Sequence, residues 1–157
     1  MIDMQLQLRL QKYQGFSLIE VLVAVVILAI GLLGLAALQI SGLRYTADAN
    51  MRYQATIQAV DMADRMRANM AGVNNGNYNN ISGIGSNPGC ISTSCSPSGM
   101  AATDAYQWNT TNSQVLPNGT GTVTQNGNLY VITITWIEPT GFGAATQNQN
   151  FSMSFTP

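Results

Sequence analysis

The chain has 157 residues, a formal net charge of −1 and no histidine. This length accommodates one small domain with an appendage. The near-zero charge provides no basic surface for nucleic acid, so no nucleic-acid partner is predicted. The absence of histidine removes the most common general base and metal ligand of enzymes.

The first predicted element is a membrane-spanning helix. The run from Val21 to Leu38 contains no charged residue and is about as long as a helix needs to cross a bilayer. A secretory signal peptide is the alternative, but its apolar region is shorter and an A-x-A site follows it closely. The nearest such site here, Ala47-Asp48-Ala49, lies well downstream. Cleavage after the apolar run is therefore not expected.

Basic residues do not decide the orientation of this span. Arg9 and Lys12 precede it and Arg44 and Arg52 follow it, so the positive-inside rule gives almost a tie.

The two cysteines indicate the orientation of the span instead. Cys90 and Cys95 lie close together in a segment rich in Gly, Ser and Pro, and such a local pair predicts a disulfide in an oxidising compartment. Metal binding is the alternative, but two thiols without histidine or nearby carboxylates make a poor site. The part of the chain after the span is therefore predicted to lie outside the cytoplasm, with the leader inside.

A short basic leader, RLQKYQG, comes before the apolar segment FSLIE. The combination resembles the class III signal of type IV prepilins and related pseudopilins. The resemblance implies that a prepilin peptidase cleaves between Gly15 and Phe16 and methylates the new N-terminus at Phe16. It also makes Glu20 the fifth residue of the mature chain.

Glu20 is the one carboxylate at the start of the apolar run. After cleavage, a cationic amine on a neighbouring subunit can pair with it and offset the cost of its burial. The alternative is that Glu20 only extends from the helix end to the lipid headgroups. Paired with the amine, Glu20 would serve subunit assembly.

Helical character continues beyond the span. Residues 44–71 contain no Pro or Gly, and small or apolar residues recur there at helical spacing. We expect one helix from about Phe16 to Ala71, ended by Gly72, whose second half packs one stripe on the head. The members of that stripe are Ala49, Tyr53, Thr56, Val60 and Ala63, with Met66 and Met70 behind.

The remaining segments predict a small antiparallel sheet. Residues 72–117 read as irregular, and two β-rich runs then flank QNGN, the best hairpin signal in the chain. Apolar residues alternate from Tyr130 to Trp136 and again from Phe151 to Phe155. A long N-terminal helix packed on a small antiparallel sheet is an α+β arrangement, which is the pilin architecture.

The predicted organisation follows from these elements. Residues 1–15 form the leader, 16–43 the transmembrane or filament-core half of the helix, and 44–157 an extracytoplasmic head. The head is predicted to contain the second half of the helix (44–71), an irregular region (72–117) and antiparallel strands (118–157).

Two further segments, DMADRMRANMAG and YVITITWIEP, resemble the type IV pilus modification proteins, the PilV group of minor pilins. The resemblance implies a non-enzymatic protein of the inner membrane, single pass with its head in the periplasm, and then of the pilus. Its implied partners are the prepilin peptidase, the other minor pilins with which it primes assembly, the major pilin and a possible tip adhesin. It also implies that Asp61, Arg65 and Arg67 contact neighbouring subunits; an ordinary exposed helix face is the alternative.

Three other classes of protein are alternatives. A minor pseudopilin of a type II secretion or competence system shares the leader and the architecture. A membrane enzyme would have only Asp104 and Glu138 as acid–base groups, which also cannot build a calcium site by themselves. An adhesin module would use Tyr106, Trp108 and the Asn-rich loops. No metal or other cofactor is expected, and the mid-chain position of the cysteines argues against a major pilin.

Overall fold

The computed structural model describes residues 15–90, 94–139 and 145–157. It contains three helices and four strands, and it confirms the predicted α+β class. In chain order these elements are α1 (Leu18–Ala68), α2 (Met70–Asn74), β1 (Asn80–Ser82), α3 (Pro97–Val115), β2 (Thr120–Asn126), β3 (Leu129–Pro139) and β4 (Thr146–Phe155). The chain divides into two compact units between Arg44 and Tyr45. The residues of the predicted leader before Gly15 lie outside the described part.

The first long helix ends earlier than the sequence predicts. α1 ends at Ala68, and Asn69 caps the short helix α2 by accepting a hydrogen bond from the backbone N–H of Gly72 at 3.1 Å. Asn is among the best N-cap residues because its side-chain oxygen satisfies a free N–H of the first turn. Gly72, predicted to stop the helix, therefore lies inside α2.

The prediction that residues 72–117 are irregular is wrong for α3, a helix of 19 residues. Ser96 caps its N-terminus by accepting from the N–H of Gly99 at 3.1 Å, and Pro97 begins the helix. Its buried face is largely polar and includes Thr103, Asn109 and Asn112. The apolar periodicity that identifies most helices is therefore weak here.

The sheet is an antiparallel meander with the strand order β1-β2-β3-β4. Asn126 pairs with Leu129, so Gly127 and Asn128 form a two-residue turn between β2 and β3. Gly127 has a φ of +62°, which is typical of a turn with glycine at its first central position. The hairpin at QNGN is confirmed, with Gly127-Asn128 rather than Asn-Gly as its two loop residues.

The core lies between the sheet, the head part of α1 and α3. The predicted apolar face of β3 is confirmed, since Tyr130, Ile132, Ile134 and Trp136 are all buried in one cluster. The last strand is also confirmed, and Phe155 contributes to the same cluster.

The face of α1 that joins this core differs from the prediction. Its buried residues are Ala55, Gln58, Ala59, Met62, Ala63 and Met66. Of the predicted stripe, only Ala63 and Met66 are buried, while Tyr53 and Val60 are 63% and 43% exposed. The stripe was wrong by roughly a quarter turn of the helix. Three alanines, two methionines and Gln58 face the core, instead of the larger residues Tyr53 and Val60.

Candidate functional site

The predicted cleavage point lies just outside the helix. Gly15, Phe16 and Ser17 precede the first helical residue, Leu18, and all are exposed. The carbonyl of Ser17 accepts the hydrogen bonds of the first turn, from the N–H groups of Glu20 at 3.0 Å and Val21 at 3.3 Å. The Gly15–Phe16 peptide bond is therefore not part of the helical hydrogen-bond pattern.

Glu20 lies in the first turn of α1 and is exposed. A carboxylate at this position interacts favourably with the N-terminal end of the helix dipole. Its neighbours in the chain, Ile19 and Val21, are 64% and 52% exposed apolar residues. Glu20 is thus a single charge at the edge of an apolar surface, as the predicted pairing with a partner amine requires.

The first half of α1 exposes large apolar side chains all around the helix. One stretch of α1 is long and apolar enough to cross a membrane, with a mean hydropathy of 3.1, and none of it is buried. Leu18, Leu33 and Leu43 are 91%, 72% and 72% exposed. A continuous apolar surface of this kind requires lipid or other helices to cover it.

In the head, Arg65 connects two helices. Its Nε donates to Asp61 Oδ2 at 2.8 Å, and its Nη1 donates to Asp104 Oδ1 at 3.2 Å and to Gln107 Oε1 at 3.0 Å. Asp61 and Arg65 lie one turn apart on α1, whereas Asp104 and Gln107 belong to α3. Burial opposes the charge of Arg65, but the hydrogen bonds and negative charges of Asp61 and Asp104 outweigh it and raise its pKa. The predicted contact residue Arg65 thus holds α3 against α1.

The same cluster continues through Tyr78. Its hydroxyl donates to Asp104 Oδ2 and accepts from Asn69 Nδ2 at 3.0 Å, and Asn69 Nδ2 also donates to the carbonyl of Pro97 at 2.9 Å. Tyr78 is fully buried. Burial and the bond to Asp104 raise the pKa of its hydroxyl. The cluster therefore joins the end of α1, the start of α3 and the loop before β1.

Arg67 occupies a different, more open position. It pairs with Asp64 at 2.8 Å, and its guanidinium carbon lies 5.2 Å from the centroid of the Phe155 ring. The two charged side chains of this pair are 53% and 64% exposed. Of the three predicted contact residues, Arg67 has the most exposed charged side chain. Contact of any of the three with other subunits stays a prediction.

The disulfide between Cys90 and Cys95 is present, which confirms that prediction. It lies directly before α3, and both cysteines are near Gly99 in the first turn of that helix. The disulfide therefore shapes the loop that leads into the N-cap Ser96. No cluster of three metal-binding side chains occurs within the described ranges 15–90, 94–139 and 145–157.

Of the side chains considered for other functions, Trp108, Asp104 and Glu138 have structural partners. Trp108 is fully buried, and its Nε1 donates to the carbonyl of Gln58 at 2.8 Å, so its ring is not open to a sugar. Tyr106 is half-buried on α3. Glu138 is 7% exposed and accepts from Trp136 Nε1 at 2.9 Å. Asp104 holds Arg65 and Tyr78 as described above.

Two segments of the chain match known families. Residues 10–36 match the prokaryotic N-terminal methylation motif, and residues 37–106 match the family Type IV pilin Tt1218. The chain thus has a segment similar to the methylation motif, followed directly by a segment similar to the type IV pilin family. No curated protein and no solved structure matches the chain significantly.

The two matched segments contain the residues described above. The methylation motif includes Gly15, Phe16 and Glu20, and the pilin domain begins within α1 and extends into α3. They support a pilin role in pilus assembly, processing by a prepilin peptidase, and an inner-membrane anchor formed by the apolar helix. The type IV pilin family is structural rather than enzymatic.

Sequence reasoning predicted the pairing of Arg65 with Asp61, one turn away, but it missed the partners of Arg65 on α3 and the role of Asn69. Asp104, Gln107 and Tyr78 lie far from Arg65 in the chain, and they come close to it only when α3 folds onto α1. One signal was available, because Ser96-Pro97 is a typical helix start. It would have placed Asp104 and Gln107 one turn apart on the same side of α3.

Proposed function

We propose that this chain is a minor pilin that primes pilus assembly in the inner membrane with other minor pilins and then lies at the pilus tip. In the proposed mechanism a prepilin peptidase cleaves after Gly15 and methylates Phe16. The apolar half of α1 then leaves lipid and packs among the helices of other subunits. The residues after the span, 44–157, form the periplasmic head.

The observation that supports this best is the combination at the start of α1. A non-helical, exposed Gly15–Phe16 bond is followed by one carboxylate and then by an apolar surface that is exposed on all sides. Cleavage creates a positive charge on Phe16, at the membrane boundary. Glu20 then neutralises the amine of a neighbouring subunit and fixes the register between two helices, since an unpaired charge in lipid is costly.

A minor rather than a major role is supported by the position of the disulfide and by the character of the head. Cys90 and Cys95 close a small loop before α3, whereas major pilins commonly bound a C-terminal loop with their cysteines. Arg65 fastens α3 to α1 through Asp104, while Arg67 and Asp64 remain exposed for contact with other pilins or with a tip adhesin.

Two measurements on the protein from its native membrane test this proposal. Mass spectrometry should find an N-methylated Phe16 as the first residue, and counting subunits in sheared pili should find this chain far below the major pilin. An intact leader would refute the pilin mechanism. Equal amounts of this chain and the major pilin would refute the minor role.

A substitution separates processing from assembly. Glu20→Ala should leave cleavage after Gly15 intact and reduce co-purification with the other pilins, because only the proposed pairing is removed. Asp48→Ala, a matched loss of a carboxylate on the same helix outside the apolar half, should leave both intact. Unchanged co-purification and piliation in Glu20→Ala would contradict the pairing. The pseudopilin alternative predicts association with secretion or competence components instead of pili.

A further inference from the structure

The outer edge of β4 is a long, regular strand edge. β4 is the last strand in the order β1-β2-β3-β4, and among the described residues only β3 pairs with it. The register runs without interruption from Tyr130↔Phe155 to Pro139↔Thr146. The backbone N–H and C=O groups that point away from β3 therefore form an open row of donors and acceptors.

This edge lacks the features that usually prevent pairing with another strand. Natural edge strands are kept short or carry charges, proline or bulges. β4 has the sequence TQNQNFSMSF, with no charge, no proline and 10 residues. The opposite edge, β1, is only 3 residues long. The two edges of the sheet thus differ, and β4 is the one fit to accept a strand.

The helix-facing side of β4 shows what such a strand would cover. Residues opposite each other in an antiparallel pair project from the same face of the sheet. Phe151 and Met153 pair with Ile134 and Ile132, which are buried against the helices. Yet Phe151 and Met153 are only half-buried at the border of the core. An added strand with apolar side chains on this face would complete their burial.

A charged side chain beside the edge indicates which chain supplies the strand. Arg52 is exposed on α1, and its Nη2 lies 3.5 Å from Gln149 Oε1 on β4. Pairing two copies of β4 about Gln149 would bring two Arg52 guanidinium groups together, and such like-charge contacts are unfavourable. A different chain with a carboxylate at this point would instead complement Arg52.

We propose that the edge of β4 from Gln147 to Phe155 accepts an extended strand of a different pilin subunit. That strand is apolar on its helix-facing side beside Phe151 and Met153, and it places a carboxylate beside Gln149, near Arg52. The proposal rests on the proposed function, since it names the kind of partner that a pilin head would meet. Main-chain hydrogen bonds supply the affinity and the covered side chains supply the specificity.

Site-specific photocrosslinking in the native membrane tests the contact. A photoreactive residue at Gln147 or Ser152 should join the chain to another protein with a prepilin signal. The joined peptide should be a strand of that protein. The control position is Thr124, an exposed residue of the internal strand β2. Yields from β4 that do not exceed the yield from Thr124, or adducts only with a second copy, would overturn the proposal.

Three charge variants refine the test. Ser152→Lys places a gatekeeper charge on the edge and should lower the Gln147 adduct by about fivefold or more. Thr124→Lys, the same charge on the internal strand, should leave the adduct unchanged. Arg52→Glu should lower it too, because it meets the proposed carboxylate with a like charge. Equal adduct yields in all three variants would overturn the proposal.

The readouts distinguish the two proposals. Cleavage after Gly15 and presence in pili are measured on the same samples. A cleaved chain in pili without a β4 adduct refutes only the strand contact, whereas an uncleaved chain absent from pili refutes the pilin mechanism itself.

Discussion

Removing the carboxylate of Asp104 should destabilise the head by about 3 kcal/mol. Asp104 accepts hydrogen bonds from Arg65 Nη1 at 3.2 Å and from the hydroxyl of Tyr78, and its side chain is 10% exposed. A hydrogen bond to a charged group contributes about 1.5–3 kcal/mol, and a buried donor left without a partner costs about 1–3 kcal/mol. Asp104→Ala produces both losses, although Arg65 retains Asp61 and Gln107.

The assay is equilibrium urea unfolding of the processed chain in detergent, followed by tryptophan fluorescence. Both tryptophans, Trp108 and Trp136, are buried in the head unit, so the signal reports the head alone. Asp64→Ala is the matched control, because its ion pair with Arg67 is largely exposed and such pairs contribute about 0.2–1 kcal/mol. If Asp104→Ala costs no more than Asp64→Ala, the cluster does not hold α3 to α1.

A double substitution isolates the buried hydrogen bond. In a Tyr78→Phe background, Asp104→Ala no longer leaves a tyrosine hydroxyl without an acceptor. Its cost should therefore be smaller by about 1 kcal/mol or more, since residues of one network are not additive. Strictly additive costs would show that Tyr78 and Asp104 act independently.

Three other predictions use the same unfolding assay. The Tyr78 hydroxyl has a raised pKa, chiefly from burial, so it ionises first in the unfolded chain. The free energy of unfolding should then fall as pH rises above about 10, and Tyr78→Phe should flatten this fall; identical pH profiles would refute the link. Gly121→Ala should cost about 1–3 kcal/mol or more because a Cβ there would overlap a buried indole ring. Gly85→Ala, which meets open space, should be nearly neutral, and equal costs would contradict the packing argument. Replacing both Cys90 and Cys95 by serine should cost about 2 kcal/mol, given their separation of 5 residues; an unchanged midpoint would mean that the loop is held by other contacts.

The strands were predictable because their evidence is local. From Tyr130 to Trp136 every second residue is apolar, and a period of two has one structural meaning. Gly127 then fixes the turn, since its positive φ suits a two-residue hairpin. Neither inference depends on a distant part of the chain.

α3 was missed because its buried face is made largely of polar side chains. The side chain of Asn109 is buried, and its Oδ1 accepts a hydrogen bond from the backbone N–H of Gly121 at 2.7 Å. Asp104 is also buried, and it accepts hydrogen bonds from Arg65 and Tyr78. Each side chain is stable inside only because a specific partner from another element meets it. Hydrophobic periodicity cannot detect such a helix, because the partners are known only once the fold is known.

The head part of α1 shows a second limit, because it carries two apolar faces. Tyr53, Ile57 and Val60 form one and remain exposed, while Ala55, Ala59 and Ala63 lie on the other and are buried. Periodicity and hydrophobicity favour the larger residues, so the sequence predicts the wrong face. The face that the fold buries carries these three alanines together with Met62 and Met66, packed in one cluster with the apolar side chains of β3. The larger face stays exposed, so a helix with two apolar faces does not reveal by its pattern alone which face the core buries.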